Sequence, residues 1–440
     1  MSLDPTDEGC FSISAQSDLS KLLKRSKLLV VDEATLIDRR NFDKFEATLR
    51  DITGCSLPWG GKIVIFCGDF RQCLPIIARA SRATTVAHTI SRSHLWKDVQ
   101  VRKLSKNMRV LANSDDIKLA EFDNWAVTLG DGALPVVGDP SEDNIQLPQE
   151  MCFEVDEANN ERDLKTFCDK IYPNFEQRYK EEDYMEGRAI LAPTNKIRDN
   201  INAYMMSRLP TEEVVLLSAD STVQPGDSDR YPTEMLNSLQ PQGIPAHKLV
   251  LRPGAPLRLM RNLNPKDGLC NGTRMLFVGV INNKILHCTI RDKRSPGGRR
   301  DVFIPRITLF PKNIEQFGFE WTRLQFPVCP AFAMTINASQ GQTLKKVGVW
   351  LVDGPAFSHG QLYVAASRVG RPEDVLFAVK KMEATSAEKN ITKNVVYREV
   401  TGHKAWVASL IPPPESPITA DEEERAGQPC STGGVTSWQL

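Results

Sequence analysis

None of the ten cysteines forms a C-x-x-C pair; they are scattered at positions 10, 55, 67, 73, 152, 168, 270, 288, 329 and 430. The usual zinc spacing is therefore missing, and the thiols read as free cysteines in a reducing compartment. No apolar run approaches the roughly eighteen residues of a membrane-spanning helix, and the N-terminus shows no signal-peptide pattern. The expectation is a soluble, intracellular protein. Neither sign of charge is in excess, because 55 Lys and Arg balance 55 Asp and Glu. A polyanionic partner would have to be held by a local basic groove, since no global positive field attracts it. No internal repeat is present, and 440 residues suffice for two or three domains with a sizeable core.

What the chain does have is alternation. Strand-like and helix-like segments follow one another, which predicts an α/β class. KLLVV (27–31) and KIVIFC (62–67) read as buried parallel strands. Residues 114–129 carry Ile117, Phe122, Trp125 and Leu129 at helical spacing, with Ser114 as cap. A second α/β pattern opens at RAILAP (188–193), where Thr194 starts a helix; it resumes at VGVWLV (347–352) and ends near VLFAV (375–379). Between them, residues 256–325 hold short β-type runs separated by Asn-Asn and Pro-Gly-Gly turns, the texture of an inserted antiparallel domain. From about 409 the composition is that of a disordered tail.

The stretch KLLVVDEATLIDRR (27–40) drives an apolar strand straight into Asp32 and Glu33. In a parallel α/β sheet, ligands sit at the carboxyl ends of strands. There the first acid can hold a magnesium ion and the second can activate a water against a γ-phosphate. A helix N-terminal acid pair favoured by the dipole is the competing reading. The next strand repeats the pattern: KIVIFCGDFRQCLPI (62–76) ends in Gly68, Asp69, Arg71 and Gln72. A glutamine placed so can sense a γ-phosphate.

VDEA, GDFRQCLPI and LSKNMR (104–109) resemble the motif series of Pif-type superfamily 1 DNA helicases, with the nearest likeness to the helicase part of Helitron-type rolling-circle transposons. The likeness continues through RAILAPTNKIRDNIN (188–202), GAPLRLMRNLNPKDGLCNGTRM (254–275), AFAMTINASQGQTL (331–344) and HGQLYVAASRVGR (359–371). The resemblance implies a partial RecA-like domain over 1–175 and a second one over 176–255 and 326–395. It further implies an SH3-like β insertion over 256–325, before a disordered tail over 396–440. It implies an ATP- and Mg²⁺-dependent DNA helicase with 5′-to-3′ travel, serving repair, recombination, telomere maintenance or transposition in the nucleus. Its partners would be single-stranded DNA and DNA junctions, met as a monomer. By the same resemblance Asp32 binds the metal and Glu33 is the catalytic base. Gln72 senses the γ-phosphate, Arg109 contacts it from the first domain, and Arg368 is the arginine finger of the second. Thr335, Ser339, Gln340 and Thr343 would contact the DNA backbone, with Ala338 where the transposon helicases usually carry lysine. The basic clusters 21–27 and 291–300 are read as solvated faces or as parts of a strand track.

One part is lacking. A phosphate cradle of the form G-x-x-x-x-G-K-[ST] does not occur: the single Gly-Lys, Gly61-Lys62, is preceded by Ser56 where glycine is required and followed by Ile63. Lys62 reads as a strand start. The expectation is an N-terminally truncated helicase, with three explanations open: a fragment of a longer protein, a decayed transposon remnant, or a retained pseudo-helicase that binds DNA or a partner without turnover.

Overall fold

A computed structural model describes residues 9–77, 79–104, 107–108, 116–156, 160–224, 226–241, 243–292, 295, 298–311, 317–381 and 389–401. The cap assigned to Ser114 and the tail from about 409 lie outside the described residues, as does most of the tip of the basic cluster 291–300.

The first unit comprises α1 (Asp18–Arg25), β1 (Leu28–Val31), α2 (Arg39–Thr53) and β2 (Ile63–Phe66), followed by α3 (Ile117–Gly130). Asp38 caps α2 by accepting from the Arg40 amide at 2.8 Å, and Gly54 ends it in the left-handed region at φ 67°. β1 and β2 pair in parallel, Leu28 opposite Ile63. Alternation gives each strand two faces. Val31 and Phe66 turn towards a cluster around Phe42 and Trp59, where the Phe42 and Phe66 rings lie 4.9 Å apart. Leu28, Val30, Ile63 and Ile65 turn outward and are 51%, 56%, 66% and 46% exposed. Parallel sheets are normally covered on both faces; the expectation of two buried strands is therefore met in pairing but not in burial, because this two-stranded pair has one uncovered apolar face and no buried residue.

The second unit begins with β3 (Asn144–Gln146), β4 (Cys152–Val155), α4 (Asn160–Ile171), β5 (Arg188–Ala192) and α5 (Asn195–Ser207). There follow β6 (Val214–Leu217), β7 (Ala219–Thr222), β8 (Lys248–Leu251), β9 (Pro256–Leu259), β10 (Arg274–Ile281), β11 (Ile285–Arg291), β12 (Arg299–Pro305), β13 (Ile307–Leu309), β14 (Trp321–Gln325) and β15 (Val328–Pro330). The chain closes with β16 (Ala333–Thr335), β17 (Lys346–Trp350), α6 (Gln361–Ala366), β18 (Val375–Lys380) and β19 (Ile391–Lys393). A parallel sheet in the order β16-β5-β17-β18-β4 forms the core of this unit. Thr194 caps α5 as expected, accepting from the Ile197 amide.

Three boundaries differ from the expectation. Residues 152–171, assigned by sequence to the first domain, join the second: β4 pairs with β18, and Phe167 and Ile171 of α4 are buried against the same sheet. The β-rich insertion is wider than 256–325, because β7 pairs with β14 and β6 with β8, while β15 adds to β12-β11-β10-β9. Residues 396–401 are not tail: Val396 and Val400 are buried, and Glu399 pairs with Arg82 at 2.8 Å. Helix α3 starts on Asp116, whose carboxylate accepts from the Leu119 amide; Ile117 is 72% exposed and stands outside the buried stripe of Phe122, Ala126 and Leu129.

Arg274 stitches the insertion to the second unit. Its guanidinium donates to the carbonyls of Glu186, Arg188 and Ala331 at 2.8 to 2.9 Å. The run GLCNGTR is thereby structural on its arginine side, with Gly268 and Gly272 supplying positive φ for the turn.

Candidate functional site at the junction of the two units

The carboxyl ends of β1 and β2 face the second unit. Asp32 is exposed, and its Oδ1 accepts from the Glu33 amide at 2.9 Å. Glu33 sits in the left-handed region at φ 51°, which for a residue with a side chain costs about 1 kcal/mol. That turn aims its carboxylate across the junction. Glu33 Oε2 accepts from Gln340 Nε2 at 3.4 Å, and a β-carbon at Gly341 would lie 3.9 Å from Glu33 Oε1. Two side chains far apart in sequence thus meet at the carboxyl end of β1.

The loop after β2 is held from several sides. Asp69 Oδ1 accepts from the Arg71 amide at 3.0 Å, and Arg71 grips Asp131 with two bonds of 2.7 and 3.2 Å. Gln72 follows, half-buried, and its Oε1 has no hydrogen-bond partner. Thr35 Oγ1 is likewise unpartnered, in a residue only 2% exposed. Unpaired buried polar atoms are uncommon, and a group that a ligand satisfies is one ordinary cause.

Arg368 is 7% exposed and braces the neighbouring turn. Its Nη1 donates to Gln342 O at 3.1 Å and Ser339 O at 3.3 Å, and its Nε to Val364 O at 2.8 Å. Its charge also reaches Cys73, a buried thiol that desolvation pushes up to about 12, with Arg368 opposing and Glu33 reinforcing the shift. Arg368 thus braces the same turn whose Gln340 meets Glu33. Arg109 lies outside the described residues.

The four residues assigned to DNA divide. Ser339 is fully buried and its hydroxyl donates to Ile336 O at 2.7 Å, so as placed it presents nothing to a backbone. Thr335 Oγ1 accepts from the Ala338 amide, and Gln340 turns to Glu33. Thr343 is exposed and, with Gln342 and Lys345, lines a cleft of about 560 Å³ whose far wall includes Arg274, Arg291 and Arg300. Lys62 is a structural cation, as its place at a strand start predicts. Its Nζ donates to Lys24 O at 3.1 Å and Ser26 O at 2.7 Å, closing the end of α1, and burial lowers its pKa.

Sequence reasoning did not single out His359, Gly360 and Tyr363. His359 is enclosed: the Tyr397 amide donates to its Nδ1 at 2.9 Å, so Nε2 carries the proton and donates to Phe70 O at 2.8 Å. Tyr363 donates to Asp69 Oδ2 at 2.8 Å. A β-carbon at Gly360 would stand 2.3 Å from Arg71 O. The quoted HGQLYVAASR segment contained all three, but only the fold shows that they face the Gln72 loop.

Asp32, exposed at the end of β1, fits a Mg²⁺ site of the sparse kind that takes one or two carboxylates and substrate phosphates. No segment of the 440 residues fits the phosphate cradle.

Residues 1–139 match the family profile described as PIF1-like helicase, and residues 234–280 that described as DNA helicase Pif1, 2B domain. The chain is 22% identical over 435 residues to the ATP-dependent DNA helicase PIF7 of Trypanosoma brucei brucei, covering 88% of this chain and 40% of that protein. It is 25% identical over 402 residues to the ATP-dependent DNA helicase PIF1 of Emericella nidulans, covering 78% of this chain and 46% of that protein. The chain thus spans less than half the length of either relative. The crystal structure of a Pif1 helicase from Bacteroides in complex with ADP-AlF3 and ssDNA superposes with a TM-score of 0.54 at 17% identity, over 90% of this chain and 79% of that one. That likeness shows the fold: two RecA-like α/β units.

Proposed function

We propose, from the matches to the PIF1-like helicase and Pif1 2B-domain profiles, that the chain belongs to the Pif1-like helicase family and supplies the catalytic acids and the second motor unit of an ATP-dependent DNA helicase. The observation that carries this reading is the meeting of Glu33 with Gln340 at 3.4 Å across the junction. Glu33 orients and deprotonates the attacking water, Asp32 holds Mg²⁺, and Gln72 turns its unpartnered Oε1 to the nucleotide site. The metal, when bound, offsets the charge on the phosphate oxygens. Arg368 becomes a finger by exchanging the carbonyls of Ser339 and Gln342 for phosphate oxygens, which ties nucleotide binding to release of the 339–342 turn. Arg109 contacts the γ-phosphate from the first unit. The DNA is single-stranded or a junction, travelled 5′ to 3′ by a monomer. The setting is nuclear, in repair, recombination, telomere maintenance or Helitron-type transposition.

A second reading has its own support. The uncovered face of β1 and β2 and the unmatched phosphate cradle favour a chain that binds DNA or a partner without turnover. Joining a P-loop strand-and-helix unit ahead of β1 separates the two readings. Restored ATPase that Glu33→Gln abolishes while ATP binding persists supports the motor; no turnover, with ATP bound, supports the remnant.

A further inference from the structure

Helix α6 touches two loops at once. On one side Tyr363 donates to Asp69 Oδ2 at 2.8 Å, His359 just ahead of the helix donates to Phe70 O at 2.8 Å, and Gly360 lies against the backbone of Arg71 and Gln72. On the other side Gln361 Nε2 donates to Asn337 Oδ1 at 3.0 Å, and Arg368, just beyond the helix, holds Ser339 O and Gln342 O. The helix itself is buried: Gln361, Leu362, Val364, Ala365 and Ala366 are all 2% exposed or less. A short, buried, doubly tethered element moves as a body, so whatever displaces one loop displaces the other.

We propose that Tyr363 is a positioning residue that sets the Gln72 loop, and that α6 registers this loop against the Asn337–Gln342 segment, so that the two order and loosen together. The proposal rests on the reading of Gln72 as a nucleotide contact for its purpose, though not for its test. The Tyr363–Asp69 bond is a hydroxyl–carboxylate bond, of the stronger charge-assisted class. Its donor is secure: burial, then the Asp69 charge, raises the Tyr363 pKa far above neutrality. Asp69 in turn fixes the loop through the Arg71 amide. The Tyr363 ring packs on Gly130, where a β-carbon would come within 2.8 Å, so removing the hydroxyl leaves the helix seated.

Hydrogen exchange on the full 440-residue chain tests this without nucleotide or DNA. Tyr363→Phe should speed exchange of the Arg71 and Gln72 amides by on the order of tenfold, and also speed exchange at Gln340 and Gln342. Asn337→Ala, which removes one acceptor on the opposite side, should loosen both loops in the same way. Asp69→Asn retains an acceptor and should give an intermediate effect. Tyr172→Phe is the control: its hydroxyl bonds Phe332 O, away from both loops, so it should lower global stability without a selective change at either. Loosening confined to each variant's own side would overturn the proposal, as would an equal effect of Tyr172→Phe. Should Tyr363→Phe fail to fold, Asn337→Ala alone decides whether the Gln72 loop responds. Failure of the chain to bind DNA or ATP would touch the helicase reading and leave this result unaffected.

Discussion

His359 has no room for a second proton, because its Nδ1 already accepts the Tyr397 amide. Burial, opposed by the bond to Phe70 O, lowers its pKa from 6.5 to about 4. In the unfolded chain the ring protonates near 6.5, so below that pH the unfolded state binds more protons and stability falls as pH falls. The loss runs from 6.5 down to about 4 and amounts to roughly 3 kcal/mol, absent above 6.5. Urea midpoints across that range should therefore slope less steeply in His359→Asn than in the parent chain. Arg368 gives a second outcome at this scale. Arg368→Ala removes the donor to Gln342 O and one of two donors to Ser339 O, which keeps the Gln342 amide, and should cost about 1–3 kcal/mol in denaturant titration, before any question of catalysis. Arg368→Lys should recover little of it, since one ammonium does not reproduce the planar fork. The arginine's presence was legible in the AASR motif. Its resting partners were not, because they belong to a turn that sequence places well before it.

Gly54 and Gly360 have nearly the same backbone, at φ 67° and 72°, in different surroundings. An added methyl meets nothing within 4 Å at Gly54 but lies 2.3 Å from Arg71 O at Gly360. Gly54→Ala should cost only the left-handed strain, about 1 kcal/mol, whereas Gly360→Ala should push the two units apart. Limited proteolysis of the Gln72 loop would read the difference, with faster cleavage expected only in Gly360→Ala. The sheet β7-β14-β13 holds the other decisive pair. Arg323 and Asp220 are joined at 2.6 Å with side chains wholly enclosed, and Arg323 also donates to Pro245 O and Leu236 O. Asp220→Ala strands a buried cation and should cost about 3–5 kcal/mol by thermal or chemical denaturation. At this scale the sequence was most readable where runs are continuous and apolar, as in β5 and β17; β1 and β2 were legible as parallel strands but not as exposed ones, since neither has a buried residue. It misled at β4: CFEV is short and half-buried, and its partner β18 comes near the end of the described chain. Local pattern cannot carry a pairing of that range.

The whole molecule carries no net charge, 55 against 55, and the cleft lined by Arg274, Arg291 and Arg300 includes acids such as Glu186 and Asp292 among its walls. Binding to single-stranded DNA should accordingly be weak and only modestly salt-dependent. Six phosphate contacts would cost about a thousandfold in affinity between 50 and 200 mM salt; a slope clearly shallower than that is expected in a fluorescence titration. ATP hydrolysis by the 440-residue chain, with or without DNA, should be negligible in a phosphate-release assay, since no segment supplies the amide nest and lysine of a phosphate cradle. The order of motifs made the architecture legible. The meeting of Glu33 with Gln340 followed only from how the two units close.

The outward side of β1 and β2 has a practical meaning for anyone handling this polypeptide. Leu28, Val30, Ile63 and Ile65 form a β-rich, uncharged strip whose outer strand edges pair with no other strand among the described residues, the kind of surface that seeds sheet-to-sheet association. Expressed by itself, the chain should engage chaperones, bind hydrophobic dyes in its native state and precipitate as its concentration rises. A pair of lysines at positions 28 and 63, side by side in register, should keep it dispersed while leaving Asp32 and Glu33 beyond the strand end untouched.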